Sequence, residues 1–227
     1  MSDFQIAVIP VTVFQQNCTV LWDTKTRQCA VIDPGGEPGR IIDLLNRMDL
    51  LPELILLTHG HLDHAGGALA LKGVIDEARS QMGLGKVPVV GPDERDMFLL
   101  QSIETQAAKF GITGLRNITP DRFVTEGEVI ELGSLKFQVV HVPGHTPGHV
   151  AFVDPAAKLA LVGDIVFRQG VGRSDFEYGD GPALLAGIKE KLLPMGDDIA
   201  FICGHGEGST FGAERRENPF LQYDFHF

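Results

Sequence analysis

Apolar positions in this chain first fall into short runs and only later into helical stripes. Residues 6–13, 18–22 and 29–32 are three such runs, and Asp33-Pro34-Gly35-Gly36 ends the third. Runs of this length bounded by Gly, Pro and Asp read as strands, and three in succession read as a β-meander. Between residues 37 and 48 the pattern changes, with Ile41, Ile42, Leu44 and Leu45 on one helix face. An apolar run at 54–57 then predicts a buried strand. After it come a helix from 65 to 81, a strand at 87–90 and a helix from 93 to 110.

The second half repeats the style. Strands are expected at 129–132, 135–142, 150–153 and 159–162, a helix at 182–193 and a strand at 199–203. Two sets of strands, each accompanied by helices, predict an α/β fold: a four-layer αββα sandwich with the sheets face to face and helices outside. A chain of 227 residues can bury roughly 70 to 75% of its unfolded surface, so one domain over 1–227 is expected. Gly and Pro collect at 33–36, 143–148 and 170–172, at strand ends, where functional loops sit.

Composition narrows the partners. A net charge of -11 disfavours a phosphate-coating surface, so nucleic acid is not expected. No apolar run reaches the ~18 residues of a membrane span. The opening MSDFQIAVIP has no basic stretch, apolar core or cleavage site, which makes the cytoplasm the expected location. Cys18, Cys29 and Cys203 are too few and too uneven for a disulfide framework. A hairpin about residues 24–27 would set Trp22 opposite Cys29 and Cys18 opposite Asp33, leaving the two thiols about 13 Å apart. Cys203, in an apolar stretch, is expected to be a buried thiol. Nothing in the pattern speaks to oligomeric state.

The chemistry concentrates in Thr58-His59-Gly60-His61-Leu62-Asp63-His64, directly after the strand at 54–57. In an extended segment His59 and His61 share a face, while a turn after Leu62 swings Asp63 and His64 towards a second point. Three further candidates each lie just beyond a strand: His145 in Pro143-Gly144-His145-Thr146-Pro147-Gly148, Asp164 after Gly163, and His205 after Gly204. Imidazoles and carboxylates together suit Zn²⁺, and Fe or Mn accept the same set. Asp33 is placed either to orient a ligand histidine or to form the turn at its strand end. His149 is placed either to support a ligand or simply to pack. His141 is expected either to be structural or to support a ligand from behind, and His226 to be exposed.

These motifs resemble the metallo-β-lactamase superfamily, and its glyoxalase II branch over nearly the whole chain. The resemblance implies two divalent metal ions, zinc foremost: His59, His61 and His145 on one, Asp63, His64 and His205 on the other, and Asp164 bridging. A hydroxide shared by the metals would then hydrolyse a small-molecule thioester of the hydroxyacylglutathione type, with Asp63 and Asp164 as the catalytic carboxylates. Family members commonly carry a C-terminal helical domain that grips glutathione; here 22 residues follow His205, and Arg215 and Arg216 read as a solvated helical face. Arg173, in Gly170-Val171-Gly172-Arg173-Ser174-Asp175-Phe176, matches the substrate loop and either pairs with a substrate carboxylate or forms a structural salt bridge. Asp175 stands where a tyrosine is usual. The same loop also resembles mononuclear iron persulfide dioxygenases, the alternative activity. A catalytically silent metal-binding module is the third reading, and an intact ligand set argues against it.

Overall fold

Side-chain alternation along each strand decides the layering. In a computed structural model, which describes residues 3–222, β1 (Phe4–Val11), β2 (Gln16–Asp23) and β3 (Gln28–Ile32) pair antiparallel as the expected meander. The helix α1 (Pro38–Arg47) leads to β4 (Leu51–Leu56), parallel to β3. Then α2 (Leu62–Ala65) and α3 (Ala68–Gln81) lead to β5 (Val89–Val90), parallel to β4. Parallel neighbours need such crossovers. After α4 (Met97–Leu100) and α5 (Ile103–Lys109) comes a second meander: β6 (Val129–Leu132), β7 (Leu135–His141), β8 (Val150–Asp154) and β9 (Leu159–Gly163). A small hairpin, β10 (Val166–Phe167) and β11 (Gly170–Val171), and α6 (Gly181–Gly187) precede β12 (Ala200–Cys203), parallel to β9. The edge strand β13 (Ser209–Thr210) and the helices α7 (Phe211–Glu217) and α8 (Pro219–Gln222) follow.

Successive strand residues face opposite layers, and the core divides accordingly. Val20, Val31 and Ile55 pack under Ile41, Leu44 and Leu71 of the first helical layer. Their neighbours Leu21, Ile32, Leu54 and Leu56 meet Phe137, Phe152 and Leu161 of the other sheet. On that sheet Val140, Val153 and Val162 turn outward to Leu184, Ile188 and Phe211. The αββα sandwich expected from the pattern is the fold observed, with the two sheets ordered β1-β2-β3-β4-β5 and β13-β12-β9-β8-β7-β6. Trp22 faces Cys29 as expected, and all three cysteines are buried and free. No helix among the described residues is long and apolar enough to cross a membrane.

Three helices differ from expectation. The one expected over 65–81 begins earlier, at Leu62, and breaks at Gly66-Gly67. The break lets the 34–36 turn press on the chain, since a β-carbon on Gly67 would lie 2.6 Å from the Pro34 carbonyl oxygen. The stretch 93–110 is a 3₁₀ turn (Glu94–Asp96) followed by α4 and α5. Asp93 caps the turn, and the Ser102 hydroxyl donates to the Leu99 carbonyl between the two helices. The helix expected over 182–193 loosens after α6 into a π turn (Ile188–Leu192) and a 3₁₀ turn (Leu193–Met195), where Pro194 has no N–H to give. β1 also ends sooner than expected, in a turn that holds Thr12 and Gln15 at positive φ.

Phe152 is fully buried between the sheets, so Phe152→Ala should cost about 3–5 kcal/mol of stability, whereas Val8→Thr on the exposed face of β1 should stay within about 0.5 kcal/mol. Urea denaturation midpoints of the two variants check this.

Candidate metal centre

Strand ends carry the ligand candidates to one rim. β4 ends at Leu56, three residues before His59; β9 ends at Gly163, next to Asp164; β12 ends at Cys203, two before His205; His145 lies between β7 and β8. Gly163 lies opposite Cys203 in the parallel pair, so those two strand ends coincide. Backbone bonds tie the sheets together here: Val150 N donates to Thr58 O at 2.9 Å and Asn17 N to Gly204 O at 2.7 Å. At Gly204 any β-carbon would strike Asp164 Oδ1 and the His64 ring.

His59, His61 and His145 form one group. His59 Nε2 lies 3.1 Å and His145 Nε2 3.0 Å from His61 Nδ1. The outer nitrogen of each ring is already engaged. His145 Nδ1 donates to the Arg173 carbonyl at 2.7 Å, and His61 Nε2 meets the Tyr178 hydroxyl at 2.9 Å. His59 Nδ1 meets Thr58 Oγ1 at 3.0 Å, and that hydroxyl donates its own hydrogen to Asp33 Oδ2 at 2.6 Å, so it accepts from His59. A neutral imidazole has one N–H. With the outer nitrogens donating, three lone pairs face one another. Burial keeps the rings neutral: it pulls His59 well below the usual imidazole range, takes His61 to about 3 with help from His145, and lowers His145.

Asp63, His64 and His205 form the second group. Asp33 accepts from Thr58 N at 2.8 Å and lies 2.9 Å from His64 Nδ1, which leaves His64 Nε2 facing Asp164 Oδ1 at 3.4 Å. Asp33 therefore both orients His64 and secures the Thr58 turn. His205 Nε2 lies 3.4 Å from Asp63 Oδ2 and 3.5 Å from Asp164 Oδ2, with its Nδ1 on the Phe14 carbonyl at 3.2 Å. Asp164 spans both groups, since its Oδ2 is also 3.6 Å from His145 Nε2. Burial opposes charge at His64, yet Asp164 and Asp33 lift it well above the usual imidazole range. Burial likewise opposes charge at His205, and its bonds to Asp164 and Asp63 raise it to about 9. Against burial, His64 and His205 hold Asp164 well below the carboxylate range.

This donor set fits divalent cations. His64 Nε2 and Asp164 Oδ1 are buried with no hydrogen-bond partner. Each such orphan costs about 1–3 kcal/mol, and a cation between them satisfies both. The triads His59–His61–His145 and Asp63–His64–His205 each have ligand atoms within 4.8 Å of one another. A cleft of about 440 Å³ opens over them, walled by Phe14, Phe110, Phe176 and Tyr178.

The remaining candidates separate. His149 stacks on His59 with ring centroids 4.3 Å apart, and its Nε2 accepts from Asp164 N at 3.0 Å. His141 is structural, bonding the Pro147 carbonyl at 2.8 Å. Arg173 lines the cleft but pairs with Asp175 at 2.7 Å and lies over Phe176. Arg215 and Arg216 are exposed, and His226 lies outside the described residues. Two residues escaped the sequence reading. Asp96 is fully buried and accepts from Gly60 N (2.8 Å), Thr146 Oγ1 (2.7 Å) and Gly148 N (2.6 Å), locking the two histidine loops together. Burial raises its carboxyl to about 6. Nothing in Glu94-Arg95-Asp96 distinguishes it from a solvated helix start. Tyr178 was findable, as one of two tyrosines and just beyond the 170–176 loop.

The sequence model of the metallo-β-lactamase superfamily matches residues 11–205. The chain is 46% identical over 217 residues to the hydroxyacylglutathione hydrolase GloC of Haemophilus influenzae, covering 95% of this chain and 97% of that one. Among solved structures, BLEG-1 B3 metallo-β-lactamase superposes with a TM-score of 0.82 at 31% identity, over 96% of this chain and all of that one. TTHA1623, solved in a di-iron-bound form, superposes at 0.80 with 35% identity, over 95% of this chain and all of that one. The chain belongs to the metallo-β-lactamase superfamily, as a glyoxalase II-like metallo-hydrolase.

Proposed function

We propose that this metallo-hydrolase cleaves thioesters of the hydroxyacylglutathione type. The observation that carries the reading is the pair of converging triads astride Asp164 at the floor of one cleft. His59, His61 and His145 would hold one divalent ion, and Asp63, His64 and His205 a second, with Asp164 shared between them. Zinc suits this mixture of imidazole and carboxylate, and iron, found in a solved relative, suits it as well. When bound, such a pair supplies a hydroxide nucleophile at neutral pH and stabilises negative charge on the carbonyl oxygen. The hydrolase name of the Haemophilus relative supports the substrate class.

The chain's own groups do the rest. Asp33 and the Arg173 and Phe14 carbonyls fix which nitrogen each imidazole presents. Asp63, on the cleft floor beside His64 and His205, is placed to take the proton released by the attacking hydroxide and pass it to the departing thiolate. The aromatic walls exclude water from the substrate's flanks.

Steady-state hydrolysis of S-D-lactoylglutathione, after reconstitution with zinc, manganese or iron, tests the reading. Turnover should depend on metal and fall about 10³-fold or more in Asp164→Ala, equivalent to ~4 kcal/mol of lost transition-state stabilisation. Near-normal turnover in that variant would sink the shared-carboxylate arrangement. Oxygen uptake with glutathione persulfide in place of hydrolysis would assign the chain to the dioxygenases instead.

Two further outcomes follow from the same geometry. Asp33→Ala, which frees His64 Nδ1, should lower metal affinity about 10- to 100-fold in a competition titration against a chelator. Stripping the metal should lower the melting temperature, and restoring it at about 1,000 times its Kd should return about 4 kcal/mol. Calorimetry with and without metal reads this directly.

A further inference from the structure

Two polar side chains far along the chain are buried without facing the cleft. Glu214, on α7, is 1% exposed, and Asn218, one turn later at its C-terminus, is 0% exposed. Both reach the β10–β11 hairpin. Gln169 N donates to Glu214 Oε2 at 2.8 Å, and Asn218 Nδ2 donates to Gly170 O at 2.9 Å, with Phe167 O at 3.4 Å. Asn218 Nδ2 also lies 2.9 Å from Glu214 Oε2, so the two side chains act as one clasp. Asn218 Oδ1 accepts from Phe220 N at 3.1 Å, which ties in the Asn218-Pro219-Phe220-Leu221 segment.

The clasp grips a turn that is costly on its own. Gln169 sits at φ 59°, left-handed and so strained for a residue with a side chain. Beyond the turn, β11 runs into Gly172, whose N donates to Ile165 O at 3.0 Å and whose α-carbon abuts the Asp164 carbonyl so closely that no β-carbon fits. The next carbonyl, that of Arg173, accepts from His145 Nδ1. Only Val171 and Gly172 separate the clasped Gly170 from it. Apolar packing of Phe211 and Leu221 already attaches this segment to the sheet. Burying a carboxylate and an amide there is needless for attachment, and their partners are hairpin backbone groups.

We infer that Glu214 and Asn218 are positioning residues for the metal centre: they hold the β10–β11 hairpin so that the Arg173 carbonyl fixes the tautomer and angle of His145. The inference rests on the metal-ligand reading of His145 given above. It assigns a task to the terminal Asn-Pro-Phe-Leu segment that simple attachment does not require.

The first test needs no metal. Nitrogen-15 NMR of the metal-free protein, with His145 assigned by its disappearance in His145→Gln, should show a single tautomer protonated on Nδ1. In Asn218→Ala the same ring should show mixed tautomers. The second test is a chelator-competition titration with zinc, in which Asn218→Ala should weaken one of two sites by about 10- to 100-fold and leave the other unchanged. Glu214→Gln keeps an oxygen for Gln169 N and should behave as wild type, whereas Glu214→Ala should follow Asn218→Ala. If Asn218→Ala does not fold, Asn218→Ser, which keeps one hydroxyl donor, should show the same changes in smaller degree. A folded variant with a lower melting temperature but an unchanged His145 tautomer and two unchanged metal sites would overturn the inference. Wild-type protein that binds no metal would overturn the hydrolase reading instead, and the tautomer measurement would still decide the clasp.

Discussion

Three imidazole lone pairs, two of them held about 3 Å from the third on His61, repel, and that repulsion is what the rest of the structure must contain. Left free, the rings would rotate until each nitrogen found a donor or water. Each of the three rings is prevented from doing so by a partner on its far side: the Arg173 carbonyl, the Tyr178 hydroxyl, or Thr58, itself fixed by the buried Asp33. The inward geometry is thus set from outside. A divalent cation turns the same convergence from a liability into a strong site, since both its charge and its empty orbitals are complementary to what the chain presents.

The containment comes from the stacked sheets. Ligand candidates on one sheet's rim would drift relative to the other's if the two layers slid, but the layers share hydrogen bonds at the rim as well as an apolar interface. Asp96 adds a second tie by taking three donors from the two histidine loops at once. Its raised pKa shows how unfavourable an uncompensated charge is at that depth. The three donors are what make the position tenable, so the loops and the carboxylate hold one another in place.

Much of this was legible in the residues. The layers follow from two sets of apolar runs, each accompanied by helices, and runs such as 150–153 and 159–162 fall within strands of the structure. The seven ligand candidates stand out because each follows an apolar run through a turn, and the structure brings all seven to one rim. What was not legible depends on contacts between distant segments. The break at Gly66-Gly67 exists because the 34–36 turn needs the space, and no local pattern announces that approach. The 3₁₀ turn at Glu94–Asp96 has ordinary helix-start residues, yet one of them is turned inward. The β10–β11 strands, two residues each, are too short to show any period. Asp33 had two equal local readings, and its contact with the His64 ring, 31 positions away, is one that no local pattern announces.

The cleft walls are built differently from its floor. The floor is buried apart from Asp63 and His205 and tied at every ring, while the walls are aromatic side chains in edge and stacked contacts, such as Phe14 against Phe110 and Phe176 against Tyr178. The guanidinium on the wall, Arg173, is exposed and already paired with exposed Asp175, an interaction worth at most about 1 kcal/mol. A substrate carboxylate must compete with Asp175 for it and gains little by winning. Binding of that kind is equal in ground and transition states, so weakening it raises KM without lowering kcat. The walls also reach the floor, since the Tyr178 hydroxyl meets His61 Nε2 at 2.9 Å and the Arg173 carbonyl accepts from His145 Nδ1 at 2.7 Å, so a change in either wall residue's backbone or ring is felt by the histidines beneath.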